Sequence, residues 1–300
     1  MPANSNFNLT LDGVTTLPPA INAWGMFLQD HGRSPYTIKS FLGDINLLAE
    51  FLPPDQIIAD ISKDNLSNFL EWLKSGRGRN IPCSPKSFSR RITTIKSFFR
   101  WLNSHSIIPN DPAKTILQHS VLSPLPEVLT PSEVETVLQA AEKFMIGEKS
   151  DSRPYTLVKL LLETGVKKGE CIALKLNHLE TKTTEPYLYV RYPSLKDRNK
   201  ERKINISKQL ITALELYTQQ YSILDQLFPW SPRRLEYILE DIGTFAHSSK
   251  HISFSMSRWT CALEDLRKGV DPDQIRQKLG VSKIQWRELK MKLDQLLSIQ

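Results

Sequence analysis

HISFSMSRWTCALEDLRKGVDPDQIRQKLGVSKIQWRELKMK, residues 251–292, decides how the rest of the chain is read. It is cut at Gly269-Val270-Asp271-Pro272 and again at Leu279-Gly280-Val281-Ser282, which leaves two or three short helices. Ile275, Leu279, Ile284, Leu289 and Leu293 recur near the helical period, with Lys and Arg in the gaps, so the helices are amphipathic. By pattern alone, Asp273 to Leu293 fits a helix-turn-helix.

Three hundred residues suffice for two domains, each with its own core. With 40% hydrophobic and 24% charged residues, the composition is that of a soluble globular protein. No apolar run nears the ~18 residues that cross a bilayer, and the polar start from Asn4 to Thr10 is no signal peptide. The expectation is a cytoplasmic protein with no membrane partner. Cys83, Cys171 and Cys261 are odd in number and lack a metal-ligand rhythm, which points to reduced thiols, no metal and no cofactor.

The net charge of +7 favours a polyanionic partner, and the placement of that charge says more. Lys74, Arg77, Arg79, Lys86, Arg90, Arg91, Lys96 and Arg100 fall between Trp72 and Asn110 with no Asp or Glu among them. From Leu17 to Ser106 the pattern predicts four helices. One opens on Ser34-Pro35 and carries an apolar stripe through Ile38, Phe41, Leu42, Ile45 and Leu48. Another opens on Ser84-Pro85 and runs Phe88, Ile92, Ile95, Phe98, Phe99 and Leu102 along its inner face, leaving Lys86, Arg90, Arg91, Lys96 and Arg100 on the others. A helix built this way packs into a bundle and offers those five cations outward to a polyanionic partner. Phe98, Phe99 and Trp101 read as core rather than as a base-stacking platform.

Residues 1–16 read as a flexible leader. The prolines at 109, 112, 124, 126 and 131 mark a linker over 109–127. Thr130 with Glu133 is a capped helix start. A helix from Tyr155 to Glu163 meets Thr164-Gly165-Val166-Lys167-Lys168-Gly169-Glu170. Two strand-like runs, 187–192 and 203–207, flank a basic turn that contains Lys196, Asp197 and Asn199-Lys200-Glu201-Arg202. Two more helices are expected from Ile211 to Ile242.

These motifs, in this order, resemble the tyrosine recombinase (phage integrase, Xer-like) family over nearly the whole chain. The resemblance implies a mainly α fold with two parts: a four-helix, SAM-like core-binding domain at 17–108, and a mostly helical catalytic-type domain at 128–300 with a small antiparallel sheet. It places Lys167 where the family has the arginine of its Thr-Gly-x-Arg box, and Glu170 at the following acid. Arg258 falls on the arginine of the His-x-x-Arg box. The hairpin lysine that protonates the leaving oxygen falls on Lys196 if one residue is inserted, and on Asp197 if none is. Lys200 and Arg202 match a basic run that would face DNA.

The same alignment puts Ser255 and Val281 at the two family histidines and Lys290 at the nucleophilic tyrosine. Tyr237 is the last of the eight tyrosines, so residues 238–300 hold none. His251 stands one turn before Ser255 if that segment is helical. Strand exchange by this route needs a nucleophile and a charge clamp, and both are altered. The resemblance therefore implies a DNA-binding protein of recombinase ancestry that does not cut, either alone or as a silent subunit in a homo- or hetero-oligomer with a recombinase. Two alternatives stay open: an active enzyme using Lys290 or Ser282, and a helix-turn-helix regulator reading bases with Gln285 and Arg287. The C-terminal Leu293, Leu296, Leu297 and Ile299 either cap the core or dock on a neighbour.

Overall fold

Leu17-Pro18-Pro19 starts the first helix, because proline fits the first turn of a helix without losing a hydrogen bond. A computed structural model describes residues 11–78, 81–118 and 124–299. The chain divides into two compact units, 1–123 and 124–300.

The first unit holds four helices, α1 (Leu17–Asp30), α2 (Pro35–Phe51), α3 (Lys63–Lys74) and α4 (Pro85–Ser104). The Ser34 and Ser84 hydroxyls accept from the backbone N–H of Thr37 and Ser87, so both expected Ser-Pro caps form. Trp24, Ile45, Leu66, Phe69, Ile95, Phe98 and Phe99 are fully buried in a common core. Trp24 meets Phe98 edge-on at 5.3 Å, which confirms the aromatic cluster as core. The core also takes in Ala113 and Ile116. This carries it past residue 108, where the sequence placed the start of a linker, because these apolar side chains have a face to fill. Residues 1–10 of the expected leader, 119–123 of the expected linker and Arg79 lie outside the described residues.

The second unit runs α5 (Pro131–Lys143), α6 (Arg153–Thr164), α7 (Lys168–Ala173), β1 (Leu179–Glu180), β2 (Tyr187–Val190), β3 (Arg202–Asn205), α8 (Lys208–Gln220), α9 (Pro232–Phe245), α10 (Phe254–Arg267), α11 (Pro272–Leu279) and α12 (Lys283–Ile299). The sheet is antiparallel in the order β1-β2-β3, with Leu188 opposite Ile204 and Val190 opposite Arg202. Strand β1 has two residues and no alternation to reveal it, so a third strand joins the expected hairpin. The turn between β2 and β3 winds into a short 3-10 helix, Leu195–Lys200.

Helix α5 begins with the expected reciprocal cap. The Thr130 N–H donates to Glu133 at 2.7 Å, and the Glu133 N–H donates to the Thr130 hydroxyl at 3.3 Å. Burial alone would raise the Glu133 carboxyl, but the Lys250 ammonium and the Thr130 N–H outweigh it and hold it below its ordinary value. Thr130→Ala removes one half of the cap and should lower unfolding stability by about 1 kcal/mol. A urea midpoint that does not move would count against the cap as a stabilising element.

Residues 254–299 form three helices. Gly280 ends α11 in the left-handed region at φ +59°, and the helical phase restarts beyond it. Leu293 and Leu296 therefore join Ile275 and Leu279 in one cluster with Val128, while Ile284 is 79% exposed. Ile284 is thus no part of the apolar stripe that uninterrupted spacing suggests; Trp286 and Leu289 pack against the cluster instead. Of the tail residues, Leu293 and Leu296 cap this core, whereas Leu297 and Ile299 face solvent.

Candidate functional site

Glu170 lies one turn into α7 and is almost wholly buried. A carboxylate in such a place must be matched with donors. Arg202 on β3 supplies two, from Nη1 at 3.0 Å and Nη2 at 2.9 Å. The Tyr192 hydroxyl supplies a third and the Lys167 N–H, at 2.8 Å, a fourth. Burial would raise the Glu170 carboxyl, but Arg202 first, then Tyr192 and the Lys167 N–H, bring it down to about 2. The Tyr192 phenol is pushed up to about 12 by burial and by that carboxylate. The Arg202 Nε donates to the Lys278 carbonyl, so one guanidinium ties β3 to α7 and to the end of α11. Arg202, whose place in a basic run suggested a DNA contact, is a buried strut. An acid 32 residues earlier in the chain takes up its charge.

Arg258 is a second strut. It donates from Nη1 to the Gly165 carbonyl and from Nη2 to the Leu279 carbonyl, closing the C-terminal ends of α6 and α11. Burial lowers its pKa to about 10, and the neighbouring Arg202 charge adds to the effect. Gly165 sits at φ +61°, where a Cβ would press on Leu279 and Cys261 at 3.0 and 3.2 Å.

Lys167 and Arg258 line a common cavity of about 680 Å³ with Ser255. The Lys167 ammonium is held below its ordinary pKa by burial, with Glu170 opposing and Arg258, Arg202 and Lys200 adding to the shift. Its nearest carboxylate oxygen, on Glu170, is 4.0 Å away. The structure thus brings together two of the residues matched by position, Lys167 and Arg258. Lys196 is exposed in the 3-10 turn and does not line the cavity. The hairpin lysine whose charge reaches Lys167 is Lys200, itself paired with Asp197.

Sequence reasoning did not place Lys168, Arg233 or Tyr237 at this cavity, yet all three line it. Lys168 pairs with Glu236 at 2.8 Å, and Arg233 donates from Nε to the Tyr237 hydroxyl at 2.7 Å. Arg233 and Tyr237 come from the first turns of α9, which follow an ordinary Ser-Pro cap and carried no signal. His251 also lines the cavity. It precedes α10 instead of belonging to it, since Ser253 is the N-cap.

Lys290 is elsewhere. It lies half-exposed on α12, bonds to Asp294 at 2.7 and 2.9 Å, and lines a shallow hollow with Trp286, Arg287 and Met291. Val281 packs against the apolar cluster of α10–α12, as a side chain without hydrogen-bonding groups should. Gln285 is drawn into a reciprocal cap with Ser282, at 3.2 and 3.3 Å, which occupies a side chain that the helix-turn-helix alternative needs for bases. The same cap engages the Ser282 hydroxyl.

In the first unit, the cations of α4 divide. Arg90 donates to Asp44 and to the Ser40 carbonyl, and Arg91 lies 3.4 Å from Asp44 and donates to the Cys83 sulfur. Asp44 is buried in α2 and draws them inward; even so, burial outweighs Thr94 and the two guanidiniums and raises its carboxyl. Lys96 donates to the Ile116 carbonyl at 2.7 Å. Of the five expected cations, Lys86 and Arg100 are exposed and without a partner among the described residues, Arg90 is paired but still 40% exposed, and Arg91 and Lys96 are partly buried on their partners. The described residues contain no group of His, Cys, Asp and Glu able to hold a metal, and no helix among them is long and apolar enough to cross a membrane.

Residues 127–286 match the Phage integrase family, and residues 21–105 match the Phage integrase N-terminal SAM-like domain. The tyrosine recombinase XerC of Anoxybacillus flavithermus is 24% identical over 279 residues, 87% of this chain and 88% of that protein. The XerC of Corynebacterium efficiens is 27% identical over 269 residues, covering 85% and 80%. Among solved structures, a lambda integrase dimer bound to a COC′ core site superposes with a TM-score of 0.70 at 17% identity, over 92% of this chain and 77% of that one. XerH bound to its difH substrate gives 0.66 at 17% identity, over 93% and 83%. Both show the same fold, mainly α with a small antiparallel sheet.

Proposed function

Because the chain belongs to the phage integrase family, with site-specific DNA recombination as its ancestry, we propose that it grips duplex DNA as those recombinases do and forms no covalent bond to it. One observation carries this reading: the cavity that holds Lys167 and Arg258 receives no side chain from α12. Lys290, in the nucleophile's place, keeps its ammonium against Asp294, and an amine needs a free lone pair to attack phosphorus. The grip is less demanding than the reaction. Phosphate contacts are numerous and individually modest, whereas a nucleophile and its clamp fail together.

Partner DNA would meet Lys86 and Arg100 in the first unit and the Lys167 cavity with the Lys196 to Lys200 turn in the second. The lambda integrase structures are dimers and a tetramer on DNA, and a silent subunit in such an assembly is the form of this proposal that needs a partner.

The test joins two measurements. In a gel shift, affinity for duplex DNA should fall on the order of a thousandfold between 50 and 200 mM salt if about six phosphates are contacted. On a nicked suicide substrate, no denaturant-resistant adduct should form. Any denaturant-resistant adduct, whether or not it disappears in Lys290→Ala, or a chain that ignores DNA at low salt, would overturn the proposal.

A further inference from the structure

The cavity beside Lys167 contains an imidazole that no motif assigns. His251 is exposed and has no hydrogen-bond or ion-pair partner among the described residues. Its backbone is nonetheless pinned on both sides. Lys250 donates from Nζ to Glu133 at 2.6 Å and to the Val128 carbonyl at 3.0 Å. Ile252 is buried against Gly243, so close that a Cβ there would stand 3.1 Å from Ile252 Cγ1. A side chain between two such anchors keeps its station without being consumed by the fold.

The other donors of the cavity are largely committed. Lys168 is on Glu236, Arg233 is on the Tyr237 hydroxyl, and Arg258 spends two N–H groups on carbonyls. Glu240 is the remaining acid of the lining. Lys167, His251 and Ser255 are left as the least engaged donors of the lining. A tetrahedral anion takes hydrogen bonds from several directions, and an imidazolium gives it a charge-assisted one.

We infer that His251 contacts a phosphate of bound nucleic acid in this cavity, together with Lys167, and so supplies from the loop before α10 the imidazole that Ser255 lacks. The inference rests on the DNA-binding reading above for its ligand and on the cavity alone for its anion site. His251 is a binding residue here; the contact holds the phosphate, and no step of a reaction is assigned to it.

The sign of its pH dependence follows. The imidazolium binds an anion better than the neutral ring, so affinity rises as the solution becomes more acid. Sulfate and phosphodiesters keep their charge over pH 5.5–8.5, which leaves the protein to supply the change.

The experiment follows the six histidine ring signals by NMR during titration with sulfate and then with a 30-base-pair duplex. His251 is assigned by the signal lost in His251→Gln. Both ligands should shift that signal and raise its titration midpoint. His251→Ala should weaken duplex binding about fivefold at pH 6 and less than about twofold at pH 8.5. His251→Gln, which keeps a donor but not the charge, should match the parent at pH 8.5 and lose its gain at pH 6. A His251 signal unmoved by saturating duplex, or an unchanged pH profile in His251→Ala, overturns the inference while leaving DNA binding intact. If the parent ignores duplex yet sulfate shifts His251, the anion site stands and the DNA reading falls.

Discussion

Glu170→Gln should cost the second unit about 3–5 kcal/mol, the usual penalty for breaking a buried pair from one side. The carboxylate accepts from the Tyr192 hydroxyl, from two Arg202 nitrogens and from the Lys167 N–H. An amide of the same shape keeps one oxygen and points an NH2 group at those donors, so the Arg202 charge is left buried and poorly matched. The effect depends on pH, and its sign is fixed by a lowered carboxyl. Glu170 titrates near 2 in the fold and near its ordinary 4.5 when unfolded. Its stabilising contribution is complete above the unfolded value and is lost as pH falls from there through about 2. Urea midpoints at pH 7, 5 and 3 should therefore show parent and variant converging as the solution becomes acid. A gap that stays constant, or a variant as stable as the parent at pH 7, would mean that the carboxylate network does not hold these elements together.

Gly280→Ala should be nearly as damaging, through the same guanidinium. At φ +59° an L-residue costs on the order of 1–2 kcal/mol. The added Cβ would also stand 2.6 Å from Arg202 Nη1, whose side chain cannot swing away without releasing Glu170 and the Lys278 carbonyl. The total should reach about 3 kcal/mol or more. Gly269→Ala is the control, because Gly269 has φ +73° but nothing within 4 Å of its Cβ position. It should lose only the backbone part. Equal losses at the two glycines would show that Arg202 moves freely and is not the strut described above.

The legible parts of this molecule were those encoded locally. Ser34-Pro35, Ser84-Pro85 and Thr130 with Glu133 announced three helix starts, and all three caps form. Gly280 announced the end of α11 for the same reason, a backbone conformation that one residue type adopts readily. Charge pairing is not legible from residues counted along the chain. The interval from Trp72 to Asn110 contains no acid, yet Asp44 reaches Arg90 and Arg91 from another helix. The partner of Arg202, Glu170, likewise lies far away in sequence, so the local run of cations does not reveal that it is buried. Ile284 belongs to the apolar spacing only if that spacing runs on across Gly280, where the helical phase is lost, and it is exposed.

Sequence alone determined the helical class, the order of the elements, the family resemblance and the absence of tyrosine after residue 237, since composition, caps and periodicity act within a few residues of themselves. Only the tertiary structure decided which cations are spent and which remain for a ligand, and that His251 and Arg233 share a cavity with Lys167 and Arg258. Burial and ion pairing are set by distance in space, and a buried charge is satisfied by whatever opposite charge the packing brings to it.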